Sequence, residues 1–169
     1  AENLLWFLER PSVTGAEQRL CDDLEARVGR LPGCKAQRTG NNLAVRRAAS
    51  DPSRPLILFA GHLDTVPEPE GGIPVRVEGE RVYGRGASDM KAGDAVMLAL
   101  IEELDWERSW AEPAFVFYER EEGPHEENGL EAVFEEMPWV LKAGLALVLE
   151  PTAGALEAGC AGTAQVEVT

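Results

Sequence analysis

Six side chains able to bind a metal or move a proton sit beside short apolar runs in this sequence. His62 and Asp64, in Gly61-His62-Leu63-Asp64, follow Leu56-Ile57-Leu58-Phe59-Ala60. Glu121 and Glu122 come shortly after Ala114-Phe115-Val116-Phe117-Tyr118, and Glu150 directly follows Leu145-Ala146-Leu147-Val148-Leu149. Asp89 closes Gly84-Arg85-Gly86-Ala87-Ser88-Asp89, just ahead of a helical pattern. Imidazole and carboxylate are donors that zinc takes readily. A carboxylate beside such an ion can also serve as general base toward water. The His-x-Asp spacing suits a strand, in which residues two apart point the same way. Asp64 can then accept the proton of one ring nitrogen and leave the other for a metal.

Each residue also has an ordinary reading. His62 with Asp64 could be a core histidine paired to an acid, and Glu121-Glu122 a solvated pair. Asp89 could be a helix N-cap, and Glu150 the cap of a turn before Pro151. Glu119 lies in the same acidic run, so pattern alone leaves the register of the glutamates open. His125, the only other histidine, lies in an acidic loop and reads as a surface residue by default. Position favours a site: ligands of open α/β sheets bind outside the carboxyl ends of the strands. If the three apolar runs are parallel strands, His62, Glu121, Glu122 and Glu150 converge on one rim, and Asp89 can join from a helix entrance.

The elements that must position them follow from periodicity. Residues 2–9 read as a short helix stopped by Pro11. Thr14 and Glu17 form a T-x-x-E capping box opening a helix along Leu20, Leu24, Val28 and Leu31, which stops at Pro32-Gly33. Residues 34–38 and 42–47 read as strands around the turn-prone Gly40-Asn41-Asn42, and 74–83 as a hairpin centred on Gly79. The runs 56–60, 114–118 and 145–149 read as buried strands. Residues 91–104 form an amphipathic helix, and Leu130, Val133, Phe134 and Met137 mark another ended by Pro138. Gln165 to Val168 alternates like an edge strand, from which the polypeptide is expected to continue. Helices alternating with apolar strands imply an α/β sheet covered on both faces.

Composition narrows the function class. The formal net charge of -14 disfavours nucleic acid and anionic membranes as partners. There is no membrane-length apolar run, no secretory signal pattern, no G-x-S-x-G nucleophile elbow and no P-loop. Cys21, Cys34 and Cys160 are odd in number and widely spaced, which reads as reduced thiols and a cytoplasmic setting.

Four motifs in order, GHLDTVP at 61–67, YGRGASDMKAGDA at 83–95, Glu121-Glu122 and EPT at 150–152, resemble those of the co-catalytic zinc amidohydrolases. That family includes succinyl-diaminopimelate desuccinylases, acetylornithine deacetylases, aminoacylases and glutamate carboxypeptidases. EPTAGALEAGCAGT at 150–163 with ENGL at 127–130 looks most like the actinobacterial desuccinylase branch. The resemblance implies a three-layer, zinc-peptidase-like catalytic domain with a central, mostly parallel twisted sheet flanked by helices. It implies two Zn2+ per complete site, with Co2+ or Mn2+ as substitutes. His62 and Glu150 would ligate the first zinc, Glu122 the second, and Asp89 both, with a cis peptide from Asp89 to Met90. Asp64 would orient His62, and Glu121 would be the general base and acid. The two metals would polarise the scissile carbonyl and activate water.

The implied substrate is a small N-acyl amino acid, N-succinyl-LL-2,6-diaminopimelate in the nearest branch. A deacetylase or metallocarboxypeptidase of the same family is the alternative, and a non-catalytic binding relative is the alternative of another class. Family members also carry an inserted lid and dimerisation domain and a late histidine completing the second zinc site. Neither is recognisable in residues 1–169. The chain is therefore expected to be the front of the catalytic domain of a homodimeric enzyme. By itself it is expected to hold one zinc well and the second poorly, with little activity.

Overall fold

The computed structural model describes residues 1–159. Helix α1 (Glu2–Leu8) and helix α2 (Gln18–Val28) lead into a β-hairpin of β1 (Cys34–Thr39) and β2 (Asn42–Arg47). Strand β3 (Leu56–His62) follows, then an exposed hairpin of β4 (Arg76–Glu78) and β5 (Arg81–Tyr83). Helix α3 (Lys91–Glu103), strand β6 (Glu112–Tyr118), helix α4 (Leu130–Glu136) and strand β7 (Leu145–Val148) complete the order. No helix of the described residues is long and apolar enough to cross a membrane. The expected edge strand at 165–168, like Cys160, lies outside the described residues.

The main sheet has the order β1-β2-β6-β3-β7. Its three apolar strands are parallel: β3 pairs with β6 from Leu56↔Glu112 to His62↔Tyr118, and with β7 from Ile57↔Leu145 to Ala60↔Val148. The β1–β2 hairpin extends this parallel centre antiparallel to β6, so the sheet is mixed. Parallel neighbours need crossovers, and α3 and α4 provide them.

Alternation along each strand divides the core in two. Leu43 and Val45 of β2, Phe59 of β3, and Phe115 and Phe117 of β6 face a cluster with Phe7, Leu20, Leu24, Met97 and Leu98 from α1, α2 and α3. Ala44, Leu58, Ala60, Ala114, Val116 and Tyr118 face the opposite way, toward Val133, Met137 and Val140 around α4. Both faces are thus covered at the centre. At β7, Leu145 and Val148 remain half exposed, at 50% and 55%.

The T-x-x-E box does not cap α2. Glu17 occupies the N-cap position without a side-chain bond to the helix. Its Oε1 accepts from the Gly15 amide at 2.8 Å, and the Thr14 hydroxyl donates to Asp64 instead. The helix begins only at Gln18, so Thr14 stands three residues before the N-cap position, out of register for a capping bond.

Candidate metal centre

Because β3, β6 and β7 run parallel and in register, their carboxyl ends open on one rim. His62 is the last residue of β3. The chain leaves β6 through Tyr118, whose carbonyl accepts the Leu63 amide at 2.8 Å. The Leu149 amide donates to the Ala60 carbonyl at 3.1 Å, which brings Glu150 alongside. Asp89 arrives from the loop before α3, and its peptide to Met90 is cis. Met90 is fully buried under β3, and its Sδ accepts the His62 amide at 3.1 Å.

His62 is buried at 1% exposure, with acceptors at both ring nitrogens. Nδ1 lies 3.0 Å from the Asp64 carbonyl oxygen and 3.4 Å from Asp64 Oδ1. Nε2 lies 3.1 Å from Asp89 Oδ1 and 3.8 Å from both Glu121 Oε2 and Glu150 Oε1. Burial opposes a charged imidazole. The hydrogen bond and charge of Asp64, with Glu150 and Asp94 behind it, outweigh that and hold the ring up at about 10. Carboxylates crowded around one imidazole favour positive charge at this point.

Asp64 is the hub. Its carboxylate is fully buried, and Oδ1 accepts the Glu121 amide at 2.9 Å. Oδ2 accepts the Glu122 amide at 3.1 Å and the Thr14 hydroxyl at 2.9 Å. Burial alone would raise this acid. The bonds from His62, Glu121, Thr14 and Glu122 bring it below its ordinary range. One buried charge therefore faces the imidazole and holds the backbone of the glutamate pair.

The register of the acidic run is resolved by where each carboxylate goes. Glu119 turns away from the rim and accepts from the Asn41 amide at 3.0 Å and from Asn41 Nδ2 at 2.7 Å, bracing the β1–β2 turn. Arg120 then takes a left-handed conformation, φ 60°, uncommon for a residue with a Cβ. Its guanidinium pairs with Glu127. That reversal turns Glu121 and Glu122 back to the rim. His125 sits exposed in a short 3-10 turn, residues 125–127.

His62, Asp89 and Glu122 each offer a ligand atom, and these atoms all lie within 4.8 Å of one another. Zinc–nitrogen and zinc–oxygen bonds of roughly 2.0–2.2 Å span such a separation with modest adjustment. Imidazole with several carboxylates suits zinc and also accommodates cobalt or manganese. The donor set therefore fits a divalent metal. Burial raises Glu122 and Glu150 above the usual carboxylate range, with the charge of Asp89 adding to both, although His62 opposes it. A bound cation would reverse that crowding.

Two residues near the centre lie outside the sequence expectation. Thr14, read as a cap, bonds to Asp64 across fifty residues, and no local pattern signals such a contact. Asp94, fully buried on α3, has no hydrogen-bond partner for either oxygen among the described residues. Burial holds its carboxyl well above the ordinary value. A signal existed for it: Asp94 stands three and four residues before Met97 and Leu98, on the apolar stripe of its helix.

A 165-residue stretch is 42% identical to a Mycobacterium tuberculosis protein provisionally named succinyl-diaminopimelate desuccinylase, covering 95% of this chain and 44% of that protein. It is 39% identical over 166 residues to succinyl-diaminopimelate desuccinylase of Corynebacterium glutamicum, covering 96% of this chain and 44% of the relative. The chain thus spans less than half the length of these relatives. The fold is similar to that of aminopeptidase PepT from Bacillus cereus, with a TM-score of 0.69 at 24% identity over 88% of this chain and 43% of that one. It is also similar to an M20 family metallo-carboxypeptidase from Sulfolobus solfataricus, with a TM-score of 0.66 at 23% identity over 86% of this chain and 36% of that one. The family model for peptidase family M20/M25/M40 matches residues 58–167, the stretch carrying His62, Asp64, Asp89, Glu121, Glu122 and Glu150, and the chain belongs to that family.

Proposed function

We propose that this chain is the front part of the catalytic domain of a two-zinc amide hydrolase that removes succinate from N-succinyl-LL-2,6-diaminopimelate. The observation that carries the reading is the convergence of His62, Asp89 and Glu122 within ligand distance of one another, with Glu121 and Glu150 beside His62 Nε2. The succinylated substrate is supported by the similarity to two desuccinylases over almost the whole chain.

His62, Asp89 and Glu150 would hold one zinc, and Asp89 with Glu122 the other. When bound, zinc acts as a Lewis acid toward the scissile carbonyl and makes water acidic enough to ionise near neutral pH. Asp64 keeps the Nδ1 proton of His62 facing inward, so that Nε2 presents its lone pair to the metal. Glu121 is 38% exposed, free to meet substrate, and acts as the base. It takes a proton from the attacking water. As the carbonyl carbon–nitrogen bond breaks, it gives that proton to the leaving amine; the second proton of the water passes from the new carboxyl group to the same amine, so succinate departs as the carboxylate and the product as an ammonium. The rest of the polypeptide supplies the lid and dimerisation domain and the histidine that completes the second zinc site, and the native enzyme is a homodimer.

The test is a panel of succinylated and acetylated diamino acids given to the full-length enzyme and its Glu121→Gln variant, with zinc measured in both. Expected is preference for the succinylated substrate, and a loss in the variant of about 10²–10⁴-fold in kcat, the usual worth of a general base, with zinc retained. Preference for an acetylated substrate would move the assignment to a deacetylase. A variant with near-parental turnover would remove Glu121 from its role.

A further inference from the structure

Thr14 reaches the rim from a segment with no expected metal ligand. Ser12-Val13-Thr14 lies along residues 63–65 through a parallel bridge between Val13 and Thr65. The Thr14 amide donates to the Thr65 carbonyl at 3.1 Å, and the Thr65 amide to the Ser12 carbonyl at 2.9 Å. The Ser12 hydroxyl donates to the Leu63 carbonyl at 2.6 Å. This strap leaves the Thr14 side chain over the Asp64 carboxylate.

Both branches of that side chain are in use. The hydroxyl donates to Asp64 Oδ2 at 2.9 Å, the oxygen that also accepts the Glu122 amide at 3.1 Å. The methyl lies against the loop that follows the glutamate pair: a Cβ placed on Gly123 would stand 3.0 Å from Thr14 Cγ2. Serine would supply only the first contact and valine only the second. A buried carboxylate that loses a donor must turn to recover one. Turning the Asp64 carboxylate would release the Glu121 and Glu122 amides together and withdraw its charge from His62, whose Nδ1 keeps only the Asp64 backbone carbonyl.

We propose that Thr14 is a positioning residue of the metal centre, its hydroxyl locking Asp64 in the orientation that aims His62 and seats Glu121 and Glu122. This rests on the zinc-site reading above. It assigns a metal-binding role to the segment before α2, well away in sequence from any ligand.

The measurement is zinc affinity of the full chain, by competition with a chromophoric chelator, alongside circular dichroism and thermal unfolding. Thr14→Val removes the hydroxyl and keeps the shape. Thr14→Ala adds no atoms and serves if the valine variant does not fold. Either is expected to weaken zinc about 10- to 100-fold, the usual cost of losing a group that orients a ligand. Thr14→Ser, which keeps the hydroxyl, is expected to restore most of that affinity. In an Asp64→Asn background, Thr14→Val is expected to add no further loss. A folded valine or alanine variant that binds zinc as tightly as the parent overturns the proposal and leaves the metal centre standing. A parent chain that binds no zinc overturns both.

Discussion

At the scale of single residues, burial sets the behaviour of the acids around the centre. Glu17 is fully buried, with Oε1 bonded to the Gly15 amide and Oε2 without a partner among the described residues. Burial raises its carboxyl pKa above 4.5; the Gly15 bond pulls the other way, and the charges of Asp64 and Glu119 add to the rise. The folded chain therefore keeps a proton at pH values where the unfolded chain has released it. The stability this contributes is present below about pH 4.5 and is lost as pH rises through the folded value. Glu17→Gln retains the acceptor and removes the titration. Its stability relative to the parent should improve from pH 4.5 to pH 7 in urea unfolding. A difference that stays flat across that range would show that Glu17 is not held protonated. Glu17 also shows where sequence reading runs out. The T-x-x-E pattern was visible, but both its side chains are claimed by groups close in space and remote or unpatterned in sequence. The ambiguity of Glu119 has the same origin, because the direction of its carboxylate follows from the backbone reversal at Arg120.

Among the elements, α3 is placed by glycine. A Cβ on Gly93 would lie 2.4 Å from the Leu149 carbonyl oxygen and 2.9 Å from Met90 Cε. Inside a helix, alanine is preferred over glycine by about 1 kcal/mol. Here that gain is overtaken, because a backbone atom stands in the way and overpacking costs roughly 1–3 kcal/mol. Gly93→Ala should therefore destabilise the chain. It should weaken zinc binding as well, since Asp89 enters α3 and Leu149 precedes Glu150. Unchanged urea unfolding and zinc affinity would show that the two elements are not locked there. The elements themselves were largely legible: three apolar runs gave the three parallel strands, and helical spacing gave α2 and α3. The antiparallel docking of the β1–β2 hairpin onto β6 was not, because strand order depends on long-range pairing that composition does not encode. The rim was legible through chain order, since parallel strands put the residues that follow them at one end.

For the whole molecule, charge is the dominant collective property. A formal net charge of -14 on 169 residues makes the folded chain repel itself, most sharply where Asp89, Glu121, Glu122 and Glu150 crowd His62. Surface pairs such as Arg10–Asp23 return little, as exposed ion pairs are worth about 0–1 kcal/mol. Screening should help more than it harms. Raising sodium chloride from 10 to 300 mM should stabilise the metal-free chain by about 1 kcal/mol, roughly 2–4 °C in Tm at this length. A fall in Tm would mean that attractive pairs outweigh the repulsion. The Asp64 hub has a consequence for folding as well. Its donors come from Thr14, fifty residues before it, and from Glu121 and Glu122, fifty-seven and fifty-eight after it. Two long loops must close before that carboxylate is satisfied, and the entropy of closure is spent before any of these bonds forms. Metal uptake during refolding would therefore report closure of these two loops rather than growth of any one helix or strand.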